Sequence, residues 1–127
     1  MPGITRSQCS ADEALRYVQQ YFATVDLIAE ALGKYEILAT DALSAAARST
    51  FRARALEAQR DLELLKNQRR AFLADQAAIK PPSAATVAEA EQRTAALAQI
   101  LAKEANASSI ITTATKGLAA FNKIHTA

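Results

Sequence analysis

Few side chains in this chain could do chemistry, and they stand apart from one another. His125 is the single histidine and lies two residues from the C-terminus, so neither a two-histidine metal site nor the carboxylate–histidine motif of di-iron bundles can be built. A frayed terminal side chain is expected there, with no metal and no cofactor. Cys9 has no histidine or second cysteine near it, which points to an incidental thiol rather than a nucleophile and rules out an intrachain disulfide. Glu104 falls where an apolar seam position is expected. A lone buried carboxylate is costly, so a register-setting pair with Arg54 or Arg60 is expected ahead of acid catalysis. Asn106-Ala107-Ser108 matches a glycosylation acceptor, but inside a helix it should remain unmodified. No catalytic residue emerges, and an enzyme is the least favoured class.

The remaining chemical signal is a basic run, Arg48, Arg52, Arg54, Arg60, Lys66, Arg69 and Arg70. Such a helix could contact phosphates, yet Glu57, Asp61 and Glu63 interrupt it and no nucleic-acid-reading motif accompanies it. A solvated or ion-paired helix face is the stronger reading. The formal net charge is only +2. It is distributed unevenly: residues 1–47 carry three basic and six acidic groups, 48–80 eight and four, and 81–127 four and three. Charge complementarity between the first two segments accounts for this more simply than an acidic partner does.

These residues must be positioned by helices. Alanine fills 31 of 127 positions, while glycine and proline occur three times each, so breakers are nearly absent and an all-α fold follows. Residues 1–9 lack periodicity and read as a flexible segment preceding a single helical domain, 10–127. Ser10 before Asp12 and Glu13 is a capping signal for a first helix over about 10–32, with an apolar stripe Leu15, Val18, Phe22, Val25, Ala29 and Leu32. Gly33 is the expected break, because glycine costs about 1 kcal/mol in a helix interior. A second helix is expected over 34–79. Pro81-Pro82 then forms a tip, and Ser83 caps a third helix over 83–125.

In the third helix, seven-residue spacing runs through Val87, Thr94, Leu101 and Ser108, and through Ala90, Leu97, Glu104 and Ile111, which is coiled-coil periodicity with a soft seam. The expected architecture is an antiparallel helical hairpin or three-helix bundle, with a compact four-helix bundle as the alternative. Folding at the prolines gathers six of the seven aromatic residues where three helices meet and leaves Phe72 on a two-helix arm. Leucines on such an arm lack cover, so Leu62, Leu65, Arg69, Arg70 and Phe72 are the expected partner-binding residues.

The functional expectation is a non-enzymatic protein–protein interaction module, an adaptor, chaperone-like factor or immunity-type binder that self-associates or docks a protein partner. A membrane-active or pore-assembling helical protein that exposes 108–124 to lipid is the second expectation, and helical nucleic-acid binding is disfavoured. No secretory leader pattern or apolar run of about 20 residues is evident, so a cytoplasmic location is expected.

Overall fold

The first helix begins where its cap dictates. Ser10 Oγ accepts the Glu13 amide at 3.1 Å and the Glu13 carboxylate accepts the Ser10 amide at 2.8 Å, a reciprocal capping box. The computed structural model describes residues 3–125 and shows an all-α bundle of four helices: α1 (Ala11–Asp41), α2 (Ala45–Leu73), α3 (Ala84–Gln99) and α4 (Ala107–Ile124).

α1 runs straight through Gly33, so the expected break is not there. Gly33 is exposed and nothing lies within 4 Å of where a Cβ would stand. Burial of Ala31, Tyr35 and Leu38 on the opposite side outweighs its propensity cost. The chain turns instead at 42–44. There Ala42 donates its amide to Leu38 O, its carbonyl accepts Arg48 Nη1 at 3.0 Å, and Ser44 Oγ caps α2 by accepting the Ala47 amide. Leu43, in the turn, is 96% exposed.

α2 stops six residues before the expected end at Ile79. Asp75 adopts φ 64°, a left-handed conformation that short polar residues tolerate, and the Gln76 amide closes back on Ala71 O. Beyond it the chain is extended. Ile79 is fully buried and exchanges two 2.8 Å backbone hydrogen bonds with Ile4, while the Asp75 carboxylate accepts both the amide and the hydroxyl of Ser7. The N-terminal segment expected to be flexible is thus tied down from Ile4 to Ser7, by partners some seventy residues away in sequence. Pro81-Pro82 is not a hairpin tip either. It crosses the end of the bundle, with Pro82 O accepting Arg16 Nε at 2.9 Å.

The long third helix also divides. α3 ends at Gln99, and the Asn106 side chain donates to Leu101 O to hold a 3-10 turn, Glu104–Asn106, ahead of α4. Leu101 is 61% exposed and Glu104 is exposed, so the seven-residue seam does not persist across this break. Side-chain contacts fix the directions. Arg16 reaches Pro82 and Thr94 Oγ1 reaches Ala23 O, so α3 runs parallel to α1. Tyr17 meets His125 while Leu27 meets Gly117, so α4 runs antiparallel to it. The connectivity is up-down-up-down, with α1 as the central helix touching all three others.

That centrality changes which face of α1 is core. Tyr17, Tyr21, Thr24, Ile28, Ala31, Tyr35 and Leu38 are buried, whereas Leu15 and Phe22 of the expected stripe are 54% and 50% exposed. Phe72 belongs to the core, not to an arm: its ring lies 4.1 Å from that of Tyr17. At Gly117, an added Cβ would run into the Leu27 side chain, so α1 and α4 approach closely only because this residue is glycine.

Candidate interaction groove

The α1 residues Leu15, Val18, Phe22, Val25, Ala29 and Leu32 recur every three or four positions and so form one stripe about 26 Å long. In the bundle this stripe lies between α2 and α3. Both pack on α1 but make at most marginal contact with each other, which leaves the stripe as the floor of an open groove. Val18, Val25 and Leu32 are half-buried against the core, and Phe22 projects between the walls. On the α3 side Thr94, Ala95 and Ala98 bound about 500 Å³ of open space, with Asp26 and Glu91 at its rim.

The α2 wall is set by Arg69. Its guanidinium carbon stands 5.2 Å from the Tyr21 ring centre and 5.8 Å from that of Phe22, within cation–π range of both. Its Nε is buried and finds no acceptor among the described residues. Leu62, two turns earlier, is half-buried against the core, and Arg70 is exposed. Leu65 and Phe72 are fully buried, so they support the wall from behind instead of presenting a free face. Of the five residues expected to bind a partner, the structure therefore brings Leu62, Arg69 and Arg70 to accessible positions and removes the other two. Sequence reasoning missed Val18 and Phe22 as surface residues because their spacing is that of a core stripe; only the burial of Tyr17 and Tyr21 one position away distinguishes the two.

The other candidate chemistry is structural. The His125 imidazole is not frayed: Nε2 shares a 2.7 Å hydrogen bond with the Tyr17 hydroxyl, and the ring packs 5.2 Å from that of Phe121. Burial lowers the His125 pKa and raises that of Tyr17. Burial, with Glu13 behind it, also raises the Cys9 thiol. Glu104 makes no ion pair among the described residues, and Asn106 stands in the 3-10 turn, not within a helix as expected. Ion pairs among the described residues, such as Lys34–Glu30 at 3.2 Å, each lie within one helix, so the opposite charges of α1 and α2 are not joined by direct bridges. A cleft of about 90 Å³ between Tyr35, Arg54, Asp61 and Thr115 holds a carboxyl, Asp61, whose pKa is raised by burial and by Glu57.

Among the described residues no three of His, Cys, Asp and Glu cluster as metal ligands. No described helix is long and apolar enough to cross a membrane, and Ile110, Ala114, Phe121 and Ile124 of α4 point into the core. Comparison of the chain with protein-family models, with characterised proteins and with solved structures gives no match.

Proposed function

We propose that this protein is a non-enzymatic α-helical interaction module that self-associates through the groove over α1. The half-exposed Val18–Phe22 floor, flanked by α2 and α3, carries this reading. A groove of this form takes the apolar face of a helix, and an isologous pair would lay the stripe of one copy against the same stripe of another. Charge favours one orientation. The α2 wall bears Arg69, Arg70 and Lys66, the last paired with Glu63 at 3.5 Å, and the α3 side bears Asp26 and Glu91. A dyad parallel to α1 would set the basic wall of each copy over the acidic rim of the other, and the accessible part of the Arg69 guanidinium would then face a carboxylate.

A photo-crosslinking residue in place of exposed Gln19 tests the contact itself. Crosslinks to residues 15–32 of a second copy are expected. Intermolecular crosslinks confined to other surfaces, or none at concentrations where the protein associates, would remove the groove from the interface.

A further inference from the structure

We propose a second binding site on the opposite side of α3, a groove between α3 and α4 that takes an extended acidic peptide. It encloses about 670 Å³ and has no residue in common with the groove over Phe22. Among the described residues, four cations line it, Lys80, Arg93, Lys116 and Lys123, against one carboxylate, that of Glu89. In a chain of net charge +2 this is a concentration of positive charge, and Lys80, Arg93 and Lys116 enter no ion pair among the described residues.

The cations are held at two levels. Lys80 is fixed at one end, because its amide donates to Ile124 O at 2.8 Å and the preceding Ile79 is bonded to Ile4; Lys123 lies at the same level. Arg93 is carried to the other end, where its stem passes over Gly117 beside Lys116. The levels are seven residues of α4 apart, about 10 Å. A single inorganic anion cannot reach both. A peptide extended as a polyproline II helix advances about 3.1 Å per residue with three residues per turn, so carboxylates three residues apart lie on one face about 9 Å apart and match the spacing. The floor between them, Ala119 and Ala120 with the flanking prolines, is apolar and shallow. Among the described residues no aromatic side chain lines the groove, so it lacks the stacking platform by which single-stranded nucleic acids are held.

Fluorescence anisotropy tests this with a labelled alanine peptide of about eight residues bearing two glutamates three apart, its glutamine counterpart, and a labelled thymidine oligonucleotide. The glutamate peptide is expected to bind saturably and to weaken roughly tenfold or more in Lys80→Glu/Lys116→Glu and with added salt. Both substituted side chains are exposed, and an unchanged circular dichroism melt establishes that the variant is folded. Absent binding by the glutamate peptide, equal binding by the double variant or by the glutamine peptide, or tighter binding of the oligonucleotide would overturn the proposal. Phe22 groove variants leave this binding unchanged, so its failure is separable from that of self-association.

Discussion

Tyr17 Oη and His125 Nε2 stand 2.7 Å apart, and this one hydrogen bond joins the second turn of α1 to the last described residue of the bundle. It makes the C-terminal end of α4 part of the core, with Phe72 and Phe121 packed around the same phenol ring.

The first prediction concerns pH. Burial depresses the folded-state pKa of His125 below its ordinary value of 6.5, so the unfolded chain binds the proton more readily. Its contribution to stability is complete above about 6.5 and is lost as pH falls from there through the folded-state value. Urea denaturation of the wild type should show stability falling on acidification through this window, and His125→Gln should flatten that slope. A slope of equal size in the variant would assign it to other groups.

Glycine substitutions should act in opposite directions. Gly117→Ala forces Leu27 out of place and should destabilise the protein by about 1–3 kcal/mol. Gly33→Ala meets open space within a helix and should stabilise it by about 0.5–1 kcal/mol. Thermal melts of the two variants suffice to check the signs.

Phe72 and Arg70 separate core from surface. Phe72→Ala should cost about 3–5 kcal/mol, because its ring fills the space against Tyr17, whereas exposed Arg70→Ala should stay within about 0.5 kcal/mol. Equal costs would contradict the placement of Phe72.

Asp75→Ala should release the N-terminal segment locally. It removes both acceptors of Ser7 and places a less tolerant residue at φ 64°. Hydrogen exchange at the Ile4 and Ile79 amides should accelerate while that in α1 is unchanged. Acceleration throughout the bundle would mean that the tie is global.

How far the fold was legible follows from these same residues. Scarcity of breakers specified an all-α chain, and Ser10 and Ser83 marked true helix starts because capping is a local interaction. Ser44 is a cap of the same kind, but Ala42 and Ala46 continue the apolar period across it, so periodicity hid the turn. Gly33 misled in the other direction, since its cost is small beside the burial around it. The Ile4–Ile79 and Ser7–Asp75 ties could not be read, because they link positions with no shared local pattern. The groove was half legible. The spacing of Leu15 to Leu32 marks an apolar stripe, but α1 has a wider buried face than one stripe, and only the packing of α2, α3 and α4 around it decides which edge stays open.

The most direct test of the central claim is molar mass by light scattering over a dilution series, for the wild type and for Val18→Ser/Phe22→Ser. The wild type should reach twice its 13.6 kDa chain mass and dissociate on dilution, while the variant, still helical, should remain a monomer throughout. A monomeric wild type at every concentration, or a variant that associates equally well, would contradict self-association through the α1 groove.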